Sequence, residues 1–244
     1  MPPEPFLRSV KLLRDQIPDA AKYPFDIPAL KSLDELELHP NVTFFIGENG
    51  SGKSTLIEAL AVSMGFNAEG GGKNQFFSTR RSESELHKHL RVVKSALRRP
   101  RTGFFLRAES FYNLASDLER DPQTLEAYGG RSFHDQSHGE GFIALVNHRF
   151  GANGLYILDE PEAALSPQRQ LALLKSIDVL VRDGESQLII ATHSPIVLAY
   201  PQARIYALSA SGIETVRYEE TEHFALTRDF LNDRERYLRR LFTD

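Results

Sequence analysis

Three runs of consecutive apolar residues stand out from the polar background of this chain: Val42-Thr43-Phe44-Phe45-Ile46, Leu155-Tyr156-Ile157-Leu158 and Leu188-Ile189-Ile190-Ala191. Each is short, unbroken rather than alternating, and rich in β-branched or aromatic residues, as a strand covered on both faces of a parallel sheet must be. Gly103-Phe104-Phe105-Leu106-Arg107 has the same character, and Phe6–Leu13 is a further strand candidate at the N-terminus. Helical spacing intervenes. After Lys53, apolar residues recur at Leu56, Ile57, Leu60, Ala61 and Met64, with Gly65 placed as the stop. Ser166-Pro167 reads as an N-cap followed by proline at the first helical position, Leu171, Leu174, Ile177 and Val181 supply the apolar face, and Asp183-Gly184 ends the helix. At the C-terminus, Arg228–Leu241 mixes acids and bases at helical spacing, with Phe230, Leu231, Tyr237, Leu238 and Leu241 as an apolar stripe expected to dock on its own domain. Strands alternating with helices predict an α/β chain with a mainly parallel central sheet flanked by helices.

Composition narrows the class. The 244 residues are 41% hydrophobic and 25% charged, enough for one large α/β domain spanning 1–244. There is no cysteine, hence no disulfide framework and no thiolate chemistry, which fits the cytoplasm. The opening Met1-Pro2-Pro3-Glu4-Pro5 lacks the basic-then-apolar pattern of a signal peptide, and no apolar stretch reaches the roughly 20 residues that span a bilayer, so integral membrane association is not expected. The net charge of −4 is unevenly spread. Between Lys73 and Arg107 ten basic residues (Lys73, Arg80, Arg81, Lys88, Arg91, Lys94, Arg98, Arg99, Arg101, Arg107) face two acids, Glu83 and Glu85. Residues 70–135 are therefore expected to form a helical, basic insertion, entered through a flexible hinge at Gly70-Gly71-Gly72. Its charge would attract DNA or RNA, or simply face water.

The run Gly47-Glu48-Asn49-Gly50-Ser51-Gly52-Lys53-Ser54-Thr55 lies between the first apolar strand and the helix that follows it. That is the context in which G-x-x-x-x-G-K-[ST] makes a phosphate cradle, because successive backbone N–H groups and the helix N-terminus converge on one anion. Gly47, Gly50 and Gly52 allow the close backbone approach, and Asn49 and Ser51 complete the loop. Lys53 would reach the β- and γ-phosphates of ATP. Ser54 would offer its hydroxyl to Mg²⁺, and Thr55 would lie near the α-phosphate. Downstream, Asp159-Glu160 follows the second apolar strand, at the sheet edge where ligands of α/β proteins gather. Asp159 is a candidate for orienting Mg²⁺, and Glu160 for polarising the attacking water. His193 follows the third strand on the same side, as either a structural residue or a γ-phosphate sensor.

In order and spacing these segments resemble the ATP-binding-cassette (ABC) ATPases, and within them the non-transporter branch of chromosome-maintenance and recombination-repair ATPase heads. Gly47–Thr55 looks like Walker A, Leu155–Glu160 like Walker B with its catalytic glutamate, and His193 like the switch histidine. The resemblance covers roughly Val42–Pro195. It further implies a signature motif presented in trans to a second subunit's ATP, and Gln136-Ser137-His138-Gly139-Glu140-Gly141 matches best, with Ser137 and Gly139 at the nucleotide-binding positions and His138 in place of a glycine. Ser166 stands where the D-loop aspartate would be. Gln75 and Glu109 are both candidates for the Q-loop, and Tyr23 and Phe25 for stacking on adenine. No heptads of a coiled-coil arm are present. The resemblance thus implies an ATP-dependent homodimer hydrolysing ATP with Mg²⁺; the basic segment suggests coupling to nucleic acid in repair or defence, the alternatives being regulation of an effector protein such as a nuclease or toxin and, behind both, a transporter.

Overall fold

A computed structural model of the chain describes residues 4–72, 84–109, 111, 115–116, 130, 132 and 135–243, the His138 side chain excepted. The main sheet has six strands in the order β5(Thr102–Arg107)-β6(Gly154–Asp159)-β7(Gln187–Ala191)-β3(Val42–Ile46)-β8(Arg204–Ser209)-β9(Gly212–Val216). The first five are parallel and β9 returns antiparallel to β8. Every residue of β3, β6 and β7 is buried, as their unbroken apolar sequences require. Because side chains alternate across a strand, Phe44 enters one core with Phe104, Tyr156 and Ile190, while its neighbour Phe45 enters the other with Ile157 and Ile189.

Each core is closed by helices. On the Phe45 side lies α2(Lys53–Ser63), buried along most of its length through Leu56, Ile57, Ala59, Leu60 and Ala61. On the Phe44 side lie α3(His138–Arg149), α4(Pro167–Arg182) and the short α5(Pro195–Leu198). The buried face of α4 is Leu173, Ile177, Leu180 and Val181; Leu174 is half-buried and Leu171 is 58% exposed, so the face turns by about one residue from the expected Leu171 stripe. Both Leu171 and Leu174 border a shallow apolar groove instead.

A second, antiparallel sheet of order β2(Glu35–Glu37)-β1(Leu7–Leu12)-β4(Leu90–Lys94) covers the Phe45 side, and α1(Pro28–Ser32) lies against β9. The N-terminal strand therefore forms, but outside the parallel sheet. Gln187 joins the two sheets. Its Oε1 accepts from the Leu7 N–H at 2.8 Å, and its Nε2 donates to the carbonyls of Leu7 at 2.8 Å and His39 at 3.0 Å.

The described part of 70–135 departs from the expected helical insertion. Leu90–Lys94 is a strand because Leu90 and Val92 pack toward the core while β1 completes its ladder, and Thr102–Arg107 is the first strand of the main sheet. Gly71 is no hinge: its N–H donates to Phe105 O at 2.7 Å and its carbonyl accepts from Phe105 N–H at 3.0 Å. Lys73, Gln75, Arg80 and Arg81, with most of 112–134, lie outside the described residues. The C-terminal stripe is two helices rather than one, α6(Glu222–Asn232) and α7(Arg234–Phe242), divided at Asp233, whose side chain accepts from Arg236 N–H and caps the second. Neither contains a buried residue; Phe230, Tyr237 and Leu238 of the stripe are half-buried while Leu231 and Leu241 are exposed, so it packs only in part.

Candidate active site

The register of the parallel sheet brings the chemistry-bearing residues to one edge. Arg107 pairs with Asp159, Asp159 with Ala191, and Ala191 with Phe45, so the loops that leave β5, β6, β7 and β3 emerge side by side. Those loops carry Glu109, Glu160, His193 and Gly47–Gly52.

The phosphate loop winds through three residues with positive φ, Gly47 at 147°, Gly50 at 82° and Gly52 at 99°. A side chain at Gly47 would meet Leu208 O at 2.3 Å; at Gly50 the space is open, on the exposed outer side with Asn49. Gly52 begins α2, leaving the first N–H groups of that helix directed at the loop. The Lys53 ammonium is folded back into the loop, donating to Gly47 O at 2.8 Å and Glu48 O at 3.0 Å. Burial lowers its pKa, and Glu160, Asp159 and Glu162 oppose that shift. Ser51 Oγ is buried without a hydrogen-bond partner. Thr55 Oγ1 lies 3.3 Å from Tyr23 OH, which places the exposed Tyr23 beside the loop. Phe25 is 5% exposed and packs edge-on against His89, so it belongs to the core.

Ser54 Oγ donates to Asp159 Oδ1 at 3.0 Å, joining two oxygen ligands of the type a hard cation takes. Burial pushes the Asp159 carboxyl up to about 6 despite the adjacent Arg107 guanidinium. In sequence Arg107 counts with the nucleic-acid charge. Here its Nε lies 3.4 Å from Asp159 Oδ2 and its Nη1 2.7 Å from Glu58 Oε2, with a looser contact to the exposed Glu109 at 3.8 Å. Its inward course is not visible in sequence because it depends on the β5–β6 register.

Glu160 adopts the left-handed conformation, φ 52° and ψ 51°, which turns the chain sharply off β6. Its Oε1 is 3.4 Å from His193 Nε2. The His193 N–H donates to Glu162 Oε1 at 2.5 Å, fixing the loop after β7 to the loop after β6. Glu160 and His193 therefore lie side by side.

Ser137 and Gly139 form the N-terminus of α3. The Ser137 hydroxyl accepts from Glu140 N–H, and Ser137 N–H donates to Glu140 Oε2 at 3.1 Å, a reciprocal capping box. Arg169 Nη1 donates to Ser137 Oγ at 3.1 Å and its Nη2 to Glu140 Oε1 at 2.9 Å. A side chain at Gly139 would meet Ala164 O at 2.7 Å, so this helix start is packed against the turn Pro161–Ala164 that follows Glu160. A cleft of about 900 Å³ runs from the outer face of Gly47–Ser51 and His193 to the β8–β9 turn and the start of α6; neither Ser137 nor Gly139 is among its described lining residues.

Residues 28–125 match the family described as "AAA domain" and residues 143–198 that described as "AAA ATPase domain". ABC transporter ATP-binding protein ModF of Escherichia coli (strain K12) is 28% identical over 172 residues, 61% of this chain; the chain spans 34% of that relative's length. Among solved structures, cbiO1 from Clostridium perfringens, part of the ABC transporter complex cbiONQ, overlays with a TM-score of 0.49 at 17% identity, covering 98% of this chain and 99% of that one. The SMC head domain from Thermotoga maritima gives 0.45 at 14% identity, over 86% and 98%. The phosphate loop lies in the first of these matched segments and the carboxylates that face it in the second, and the two segments are similar to AAA-type ATPase domains, which marks the chain as an ATPase.

Proposed function

We propose that this protein hydrolyses MgATP between two copies of itself and uses the cycle to act on a nucleic acid. The carrying observation is the Ser54–Asp159 contact at 3.0 Å, with Glu160 and His193 beside it at the same sheet edge. The positive-φ glycines and the unpartnered Ser51 hydroxyl suit a polyphosphate, and the Ser54–Asp159 oxygens suit Mg²⁺, which would neutralise phosphate charge. Asn49–Gly52 and Thr55 hold phosphate oxygens through backbone N–H groups, and Lys53 exchanges its two carbonyl partners for the β- and γ-phosphates. Glu160 accepts a hydrogen bond from the attacking water and aligns it; His193 Nε2 donates toward the γ-phosphate.

Ser137 and Gly139, at the N-terminus of α3, supply the second half of each site across the dimer. Nucleic acid is supported by the exposed Arg91, Lys94, Arg99 and Arg101, whereas Arg98 and Arg107 are engaged within the fold. A second reading, an ATPase in transport, is favoured by the likeness to ModF; among the described residues no helix is long and apolar enough to cross a membrane.

The test is steady-state hydrolysis by wild type and Glu160→Gln, with mass measured in ATP and with added DNA or RNA. Turnover in wild type, and an inactive Glu160→Gln that accumulates as an ATP-dependent dimer, support the proposal. Stimulation by nucleic acid that is lost on neutralising Arg99 and Arg101 selects the first partner class. Co-purification of a membrane or protein partner without that stimulation selects the second.

A further inference from the structure

The cleft has a wall that the motifs do not account for, the first turn of α6. His223 stands there with its Nε2 3.1 Å from His193 Nδ1, the two ring centroids 5.3 Å apart. On its other side the His193 ring presents Nε2 to Glu160 Oε1 at 3.4 Å. A neutral imidazole has one N–H to give. If His193 is to donate from Nε2, its Nδ1 must accept, and the donor facing it is the Nε2–H of His223. His223 Nδ1 and His193 Nε2 are both buried without a hydrogen-bond partner, so the contact between the two rings is the hydrogen bond that links them. Burial, His193 and Lys53 all hold His223 below the usual histidine range, against a smaller opposing pull from Glu222, so the neutral ring is the resting form.

The placement of His223 is built rather than incidental. Thr221, 2% exposed, caps α6 by accepting from Phe224 N–H and donates its own hydroxyl to Tyr218 O at 2.7 Å. Tyr218 OH in turn donates to Pro195 O at 2.9 Å, two residues beyond His193. The segment that carries His223 is therefore tied to the segment that carries His193.

We propose that His223 is a positioning residue for ATP hydrolysis: its Nε2–H, donated to His193 Nδ1, fixes the tautomer and the orientation in which His193 offers Nε2–H to the γ-phosphate. This rests on the role given to His193 above. It also makes the C-terminal helices part of the hydrolytic machinery, although no motif marks them.

The experiment compares wild type, His193→Ala, His223→Ala, His223→Gln and the double alanine variant in steady-state ATPase and nucleotide-binding assays, with melting curves to verify folding. Ring ¹⁵N shifts of His193 are recorded for wild type and both His223 variants. Loss of a partner that fixes an imidazole tautomer typically costs about 10–100-fold. His223→Ala is expected to lower kcat by that factor with the ATP dissociation constant within about twofold. His223→Gln, whose amide can donate from nearly the same place, restores most of it. The double variant is no slower than His193→Ala, and the shifts change from the Nε2–H tautomer in wild type to a mixture in His223→Ala. A wild-type kcat in His223→Ala, failure of the Gln rescue, multiplicative losses in the double variant, or unchanged ring shifts would each overturn the proposal. Full turnover in His193→Ala overturns the role of His193 itself, whereas a defect there with none in His223→Ala overturns only the present inference.

Discussion

Replacing Arg107 by Met, which keeps the length of the stem and removes the charge, isolates the electrostatic support of the proposed cation site. In the wild type the guanidinium lies 2.7 Å from Glu58 and 3.4 Å from Asp159, and all three side chains are at most 17% exposed. Removing one member of a buried charge cluster leaves the others desolvated without compensation, a cost of about 3–5 kcal/mol. For a domain of this size each kcal/mol lowers the melting temperature by roughly 2–4 °C, so the variant should melt about 10 °C below wild type in nucleotide-free buffer with EDTA. The deficit depends on pH. Asp159 titrates near 6 when folded, above its ordinary value of 3.8, so its burial penalty is present above that pH and is relieved as pH falls toward the unfolded value. Without Arg107 its folded pKa rises further. The Asp159 part of the added penalty is full only above the variant's raised pKa, shrinks as pH falls from there toward about 6, and is gone below that, where the carboxyl is protonated in both proteins. Calorimetry on either side of that pH measures both effects. A melting temperature indistinguishable from wild type on the alkaline side, or a deficit that grows on acidification, would refute the reasoning.

Gln187→Leu removes three hydrogen bonds and strands the buried N–H and carbonyl of Leu7; we expect a loss of about 2–4 kcal/mol in urea unfolding. Gly139→Ala places a methyl 2.7 Å from Ala164 O, and about 1–3 kcal/mol of destabilisation is expected in melting experiments, with weakened ATP-dependent dimerisation in sedimentation. Tyr23, exposed beside Thr55, is the better placed of the two candidates to stack on adenine. Tyr23→Ala should raise the ATP dissociation constant by about 10-fold while leaving inorganic triphosphate binding unchanged in calorimetric titrations.

The legible parts of this site are those written in contiguous residues. Gly47–Thr55 declares its loop, and Leu155–Glu160 declares a strand with carboxylates at its end, because each needs only local chemistry and one neighbour in the chain. What depends on register is hidden. Arg107 is indistinguishable in sequence from the basic residues around it until β5 is laid beside β6, where Asp159 becomes its partner. Leu90–Lys94 forms a strand because β1, far back in the chain, completes it, a contact that no local pattern records. The hairpin β8–β9 does have a local signal, Ile205-Tyr206-Ala207-Leu208 followed by the turn residues Ser209-Ala210-Ser211-Gly212. Glu140 matches the signature by resemblance, yet its contacts are those of a helix cap and an ion pair with Arg169. His223 has no signal beyond being a histidine, since its meaning lies in the ring it faces.

Glu160 gains nothing locally from its left-handed backbone: a non-glycine residue there costs on the order of 1 kcal/mol of folding free energy. The substitution Glu160→Gly would relieve that strain while deleting the carboxylate. A selection of random variants for heat resistance alone would therefore enrich Glu160→Gly, and, with Glu160 in its proposed role, the survivors would be hardier proteins with no power to split ATP. On the proposed role, stability and catalysis compete at this single position.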